Sequence, residues 1–178
     1  MGELVTRVSV WIALLCYLAG PLAALAGRAA GSRRLNRWRR RARFVYSCGF
    51  VAFMVHVVAA FHVFYEWSHS VALAETARQT AELTGARSGA GLWLNYLYLL
   101  VWALDVAWWW RVDVIVHARR RAWATALIHG FFVFIAFNAT VVFEQGPVRW
   151  IGAAATALLF AVAFVVALRS RTGPSAPG

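Results

Sequence analysis

The chain has 178 residues, of which 62% are hydrophobic, and its mean hydropathy is +0.62. Typical soluble domains are about 45–50% apolar, so this composition argues against a soluble globular protein and indicates a membrane protein. The net charge of +11 comes from 18 arginines, with no lysine, against seven acids. Because these arginines lie between apolar stretches, they indicate membrane topology and lipid contact, and we expect no nucleic-acid partner.

Five apolar stretches are long enough to cross a membrane, which takes about 20 residues for a hydrocarbon core of ~30 Å. They cover residues 8–26, 44–65, 91–110, 123–143 and 148–168. Lipid-exposed backbone must form its hydrogen bonds within each helix, so the sequence predicts an all-α bundle of five transmembrane helices. The gaps are too short for a second core, which makes residues 1–171 one domain. The tail 172–178 is rich in Pro, Gly and Ser and is predicted to be disordered.

The placement of arginine predicts the orientation of the bundle. Fourteen of the 18 arginines lie in segments 28–43, 111–121 and 169–171. By the positive-inside rule these segments are cytoplasmic, which puts the N-terminus outside and the C-terminus inside a bacterial-type inner membrane. A signal peptide cleaved after Ala26 is the alternative, but cleavage there would send eight arginines across the membrane, so we favour an uncleaved first span.

A histidine-rich stripe follows the second span. Residues 66–84 are predicted to form a helix that ends at Gly85, a plausible C-cap. His62, Glu66 and His69 step by four and three residues, which places them on one face if the helix runs unbroken through Trp67. Two imidazoles and a carboxylate suit a transition metal ion, and Glu144 at the outer end of the fourth span is a candidate fourth ligand. The alternative, which we favour, is a set of interfacial polar residues that bond water and neighbouring helices.

A second polar constellation lies inside the membrane. Asp105 on the third span and His129 on the fourth each lie about six residues from the inner end of their span. Consecutive antiparallel helices are neighbours, and an unpaired carboxylate in the bilayer costs at least ~2.5–3.5 kcal/mol, so we expect the two residues to pair. Both a proton relay or cofactor pocket and a structural clamp are consistent with such a pair.

Three further polar residues are predicted to be buried in the bundle: His56 near mid-membrane, and Asn95 and Asn138 in the outer third. The two asparagines are at similar depth, where they can hydrogen-bond across helices. Haem b held by two histidines would need a second histidine at the depth of His56. His129 lies lower and His62 higher, so haem is disfavoured.

No pattern in the chain specifies a reaction, because it has no nucleophile elbow, phosphate-binding loop or dinucleotide-binding glycine pattern. Whether it is an enzyme therefore stays open. The favoured function is a structural or accessory membrane subunit, whose partners are the lipid bilayer and either other membrane subunits or further copies of the chain. One alternative is a metal- or redox-linked protein centred on His62, Glu66 and His69. The other is a small transporter or proton channel that uses Asp105 and His129, which the lack of an inverted repeat disfavours.

Overall fold

The computed structural model describes residues 1–29, 32–143 and 146–171, with side chains described except at 21–29, 32–34, 118 and 162–171. Every regular element in these ranges is helical, which confirms the predicted all-α class. The elements are α1 (Gly2–Ala29), α2 (Ser32–Val63), α3 (His69–Thr84), α4 (Ala90–Arg111), α5 (Val114–Ala118), α6 (Ala122–Phe137), a π-helical segment (Asn138–Val142) and α7 (Pro147–Arg171).

Four helical stretches are long and apolar enough to cross a membrane. They are Gly2–Gly20, Leu35–Val63, Ala90–Arg111 and Ala122–Val142. In α7 the described residues contribute a shorter apolar stretch, Pro147–Ala161. Four of the five predicted spans are therefore supported by length and composition, and the fifth, at 148–168, stays a prediction. The tail predicted to be disordered, 172–178, lies outside the described residues.

The helices turn many large apolar side chains away from the bundle. Leu15 on α1, Leu104 on α4 and Leu127 on α6 are each more than 60% exposed. Val51 on α2 and Ile151 on α7 are also exposed. A soluble monomer rarely presents apolar surface of this extent, so the outer surface of the bundle is suited to a hydrocarbon environment.

Helices α1 and α2 form an antiparallel hairpin. The beginning of α1 at Gly2 lies against Val63 at the end of α2, and Ala13 lies against Gly49. Between these points Nδ1–H of His56 donates a 2.8 Å hydrogen bond to the carbonyl oxygen of Thr6. The predicted buried histidine of the second span is therefore partly buried and bonded to α1.

The core is built largely of aromatic side chains from four helices. Its buried members are Ala13, Tyr17, Tyr46, Tyr98, Trp102 and Phe132. Trp102 on α4 and Phe132 on α6 are only 1% exposed, and their ring centroids lie 5.5 Å apart. Asp105 follows Trp102 by three residues and His129 precedes Phe132 by three, so helical spacing places both polar residues one turn from this core.

The connection between α2 and α3 corrects the prediction of a continuous helix. Helix α2 ends at Val63, and Glu66 and Trp67 both adopt left-handed backbone conformations with φ of 47° and 60°. Ser68 then caps α3, since its hydroxyl accepts a 3.4 Å hydrogen bond from the N–H of Val71. The condition that the helix runs unbroken through Trp67 is therefore not met, and the predicted start of the helix at residue 66 is wrong, because Ser68 caps a new helix that starts at His69. The predicted C-cap at Gly85 is confirmed by its φ of 76°.

Helix α7 approaches the π-helical segment closely at Gly152. A β-carbon at this position would lie 2.5 Å from Cβ of Thr140, which is itself buried. Pro147 occupies the first turn of α7, where its missing N–H removes no intrahelical hydrogen bond. Close backbone packing, rather than a polar contact, therefore joins the described part of α7 to its neighbour here.

Candidate functional site

The segment between α4 and α6 folds back over the arginine-rich end of the bundle, which is the end where α2 begins and α4 ends. Asp113 caps the short helix α5, because its Oδ1 accepts a 2.8 Å hydrogen bond from the N–H of Ile115. The ring of His117 stacks on Trp109 at a centroid distance of 4.0 Å and an angle of 5°. Val114 is buried. The segment therefore packs against the bundle, and it brings Arg120 to the level of Asp105.

Arg120 is the centre of a buried polar network. Its Nη1 donates to Oδ1 of Asp105 at 2.6 Å, and its Nη2 donates to Nε2 of His129 at 3.0 Å. Its Nε donates to the hydroxyl of Thr125 at 2.8 Å. The Arg120 side chain is 8% exposed and that of Asp105 is 2% exposed. One guanidinium thus neutralises a buried carboxylate and also binds two side chains of α6.

Two tyrosines of the core extend the network to α1 and α2. The hydroxyl of Tyr46 donates to Oδ2 of Asp105 at 3.0 Å, and the hydroxyl of Tyr17 is 2.9 Å from Nδ1 of His129. We call the six residues Tyr17, Tyr46, Asp105, Arg120, Thr125 and His129 the Arg120 clamp. It joins α1, α2, α4 and α6 through side chains that are buried or partly buried.

The hydrogen bonds of the clamp determine the protonation state of His129. A guanidinium can only donate, so Nε2 of His129 must accept from Arg120 and therefore carries no proton. The imidazole is then neutral with its proton on Nδ1, which donates to the hydroxyl oxygen of Tyr17. Asp105 is ionised, because it accepts from both Arg120 and Tyr46. The charged pair at the centre of the clamp is therefore Arg120 with Asp105.

His117 lies beside the clamp without joining it. Its Nε2 is 3.8 Å from Oδ1 of Asp105, which is close enough for an electrostatic interaction but too long for a hydrogen bond. Among the described residues, this buried Nε2 has no hydrogen-bond partner. The position of His117 is therefore set by stacking on Trp109.

The predicted pairing of Asp105 with His129 is realised through a third residue. The two side chains lie at the same level, as their matching positions along α4 and α6 predict, but no direct hydrogen bond between them is recorded. Arg120 lies between them because the carboxylate needs a cation, whereas His129 is neutral and presents its unprotonated Nε2 to Arg120. The expected direct bond is therefore replaced by a bridge.

The opposite end of the bundle carries residues 64–89. The predicted metal ligands His62, Glu66 and His69 do not lie on one helical face there. His62 is on the last turn of α2, Glu66 is in the left-handed turn and His69 begins α3; all three are exposed. His69 is instead stacked on Tyr96, and its Nδ1 is 3.0 Å from the tyrosine hydroxyl. The nearest recorded aromatic neighbour of His62 is Trp67, at a centroid distance of 6.2 Å.

Within the described residues, no group of three His, Cys, Asp or Glu side chains is arranged to hold a metal ion. The break between α2 and α3 explains this result for His62, Glu66 and His69, since the predicted convergence required one continuous helix. The fourth predicted ligand, Glu144, lies outside the described residues.

The two asparagines predicted to be buried are not recorded as hydrogen-bonded to each other. Asn138 is partly buried, and its amide donates to the carbonyl oxygen of Phe134 on the preceding turn at 2.8 Å. Asn95 is exposed, although Leu92 and Tyr98 on the same helix are buried. The expectation that Asn95 is buried is therefore wrong.

On the exposed face of α3, Arg78 forms ion pairs with Glu75 and Glu82. Hydrogen bonds from Arg78, together with one from Gln79, lower the pKa of Glu75 to about 2. The i,i+3 and i,i+4 spacing of these pairs stabilises the helix itself, so this charged group fits a solvated helical face.

Comparisons with family models, with curated proteins and with solved structures find no match. The function must therefore be inferred from the site itself. Sequence reasoning missed Arg120, which it counted with the topology-determining arginines, and the two tyrosines that complete the clamp. The signal available for Arg120 was the need of buried Asp105 for a cation, in a chain where an arginine cluster directly precedes α6.

Proposed function

We propose that the chain is an integral protein of a bacterial-type inner membrane with five spans, its N-terminus outside and its C-terminus in the cytoplasm. The exposed apolar side chains on four long helices support membrane insertion. The excess of arginine at the end where α2 begins and α4 ends supports a cytoplasmic location for that end. Helix α7 supplies the fifth span, since its 25 residues extend ~37 Å at 1.5 Å per residue.

Within this membrane frame, the protein acts as a structural or accessory subunit of a membrane complex. The observation that carries this proposal is that the Arg120 clamp directs its hydrogen bonds into the bundle. All three kinds of guanidinium nitrogen of Arg120 bond side chains of the bundle, and Asp105 accepts from both Arg120 and Tyr46. A ligand-binding or transport site would leave some of this hydrogen-bonding capacity directed towards a cavity, whereas a clamp that fixes helix positions uses it internally.

The same geometry weighs against a proton channel through Asp105 and His129. Any proton path between these residues would pass Arg120, whose guanidinium stays protonated in proteins and therefore does not relay protons. A metal- or redox-linked function at the opposite end is also less well supported, because His62, Glu66 and His69 occupy three different elements.

The orientation is tested with single cysteines in a chain whose Cys16 and Cys48 are replaced by alanine. The variants Arg40→Cys and Gln79→Cys place a thiol at exposed positions of the two ends. An impermeant maleimide added to intact spheroplasts is expected to label Gln79→Cys at once and Arg40→Cys only after lysis. Labelling of Arg40→Cys alone in intact spheroplasts would reverse the proposed orientation.

The accessory role is tested by extracting membranes of the native host in a mild detergent and following the chain by native electrophoresis. We expect it to migrate in an assembly larger than the 19.8 kDa chain in its micelle. Metal analysis and an absorption spectrum of the purified chain provide the contrast. A monomer that carries a stoichiometric metal ion or chromophore would contradict the accessory role and favour the metal- or redox-linked alternative.

A further inference from the structure

On the outer surface of the arginine-rich end, the side chain of Arg43 stacks on a tryptophan ring. The guanidinium carbon of Arg43 lies 4.2 Å from the ring centroid of Trp110, in a cation–π contact. The indole N–H of Trp110 donates to the hydroxyl of Ser47 at 2.8 Å, which holds the ring against α2. Arg43 is therefore oriented by stacking on a fixed aromatic ring, and not by an acidic partner.

Most hydrogen-bonding capacity of Arg43 remains unused in the described structure. Its Nη1 donates only a long bond of 3.4 Å to the carbonyl oxygen of Trp109. Its Nε is buried and has no partner among the described residues. Because Nε is buried, a ligand from outside reaches the terminal nitrogens Nη1 and Nη2, whose planar arrangement matches a phosphate group that accepts two parallel N–H bonds.

The surrounding charge is positive and uncompensated. Arg39 and Arg40 precede Arg43 by four and three residues, so they share its helix face on the adjacent turn. The sequence has no acid between residues 4 and 65. Of the two acids between residues 83 and 143, Asp105 is bonded to Arg120 and Asp113 caps α5. The positive charge on this face therefore has no acidic partner among the described residues and favours an anion from outside the chain.

Apolar surface continues from this charged face along α2. Phe44 is 63% exposed and Val51 is 59% exposed, one and eight residues after Arg43. A ligand that places a phosphate at Arg43 and hydrocarbon along these residues would satisfy both parts of the surface. Of the common phosphates, a phospholipid has this combination of groups.

We propose that Arg39, Arg40, Arg43 and Trp110 form a binding site for the headgroup of an anionic phospholipid. The phosphodiester accepts from Arg43, and Arg39 and Arg40 favour a headgroup with net negative charge over a zwitterionic one. This inference rests on the membrane location proposed above, but not on the accessory role.

The test measures phospholipid binding to the detergent-purified full chain by native mass spectrometry, with phosphatidylglycerol and phosphatidylcholine as probes. We expect the wild type to bind phosphatidylglycerol more tightly, and Arg43→Gln to lose about tenfold in this affinity, as for one charge-assisted hydrogen bond. Arg87→Gln, which removes an exposed arginine from the opposite end, is the matched control and should retain wild-type affinity. Inorganic phosphate at the same concentration should not displace the lipid.

Three outcomes would overturn the site: equal affinity for both lipids, wild-type affinity in Arg43→Gln, or displacement by inorganic phosphate, which would indicate a free-phosphate site. If Arg43→Gln does not fold, the double variant Arg39→Gln/Arg40→Gln replaces it, with the same expected loss and the same overturning result. Extraction of cell membranes with alkaline carbonate separates this inference from the membrane proposal. A chain that resists extraction but has no preference for phosphatidylglycerol refutes the lipid site alone, whereas an extracted chain refutes membrane insertion.

Discussion

The two ends of the bundle differ in where their polar side chains lie: inside the bundle at one end and on its surface at the other. At the arginine-rich end, the side chains of Asp105 and His129 lie inside the bundle and both bond Arg120. At the opposite end, His62 and Glu66 lie on the surface, next to a turn with two left-handed residues. Both regions contain similar residue types, so composition alone does not decide which polar groups become structural.

The difference follows from what can reach each group. Asp105 lies one turn from an aromatic core with its side chain only 2% exposed, so a protein cation compensates the carboxylate. Glu66 lies beyond the end of α2, where solvent can hydrate it at no structural cost. Burial therefore forces a network at one end, whereas the opposite end depends on helix caps and on close backbone packing at Gly152.

The largest expected effect comes from removing the cation of the clamp. Arg120→Leu should destabilise the protein by about 3–5 kcal/mol, because it leaves the carboxylate of Asp105 buried without a partner. Arg121→Leu, at the exposed neighbouring position, should cost less than about 0.5 kcal/mol. Thermal unfolding in detergent measures both.

A double-mutant cycle tests whether Asp105 and Arg120 stabilise the protein as a pair. Asp105→Leu combined with Arg120→Leu should cost less than the sum of the two single variants, because the charges are removed together. Strict additivity, or a loss in Arg121→Leu as large as in Arg120→Leu, would contradict a clamp at this end.

A smaller effect is expected where the opposite end relies on close packing. Gly152→Ala should cost about 1–3 kcal/mol, since its β-carbon would overlap with Thr140 and force α7 away from the π-helical segment. Gly130→Ala is the matched control, because a β-carbon there meets no atom within 4 Å, and it should be neutral or slightly stabilising. Adding Thr140→Ala to Gly152→Ala should restore part of the stability, and no recovery would argue against this contact.

In the left-handed turn between α2 and α3, we expect a substitution that increases the stability of the protein. Glu66→Gly should stabilise the protein by about 0.5–1 kcal/mol, because the exposed side chain forms no hydrogen bond or ion pair with the described residues and glycine adopts a φ of 47° without steric cost. The same exchange at a helical position, Ala74→Gly, should cost about 1 kcal/mol. A loss of stability in Glu66→Gly would assign the Glu66 side chain a role that its exposure does not suggest.

The smallest effect is the pH response of α3. The pKa of Glu75 is lowered from an ordinary 4.5 to about 2 by hydrogen bonds from Arg78, so the folded state binds this proton less readily than the unfolded state. The contribution of the ion pair is therefore complete above pH 4.5 and is lost as the pH falls from 4.5 to about 2. The protection factors of the α3 amides, which correct for the intrinsic pH dependence of exchange, should fall over this range in the wild type, and Arg78→Gln should remove this fall.

The sequence predicted the helices well because their signals are local. Apolar stretches of about 20 residues, the C-cap at Gly85 and the depth of Asp105 and His129 all follow from spacing within one segment. The sequence left open whether the helix runs unbroken through Trp67, since an apolar and aromatic run conceals the capping role of Ser68.

The clamp was harder to predict because it is not local. Arg120 belongs to a cluster whose other members are solvated, and only the fold-back of α5 distinguishes it from Arg119 and Arg121. The contribution of Tyr17 depends on α1 lying next to α6, a contact that no spacing within either helix specifies. Contacts between residues that are distant in sequence could therefore not be predicted from the residue spacing within single helices.

The order of residues in the clamp has a consequence for biosynthesis. A chain that is inserted into the membrane from its N-terminus delivers Tyr17, Tyr46 and Asp105 before Arg120 and His129 have left the ribosome. Until α6 arrives, the carboxylate of Asp105 has no cation and the first three spans have no common polar anchor. Completion of the clamp is therefore coupled to the synthesis of Arg120 and α6, and a chain interrupted before Arg120 would carry the carboxylate of Asp105 without its cation.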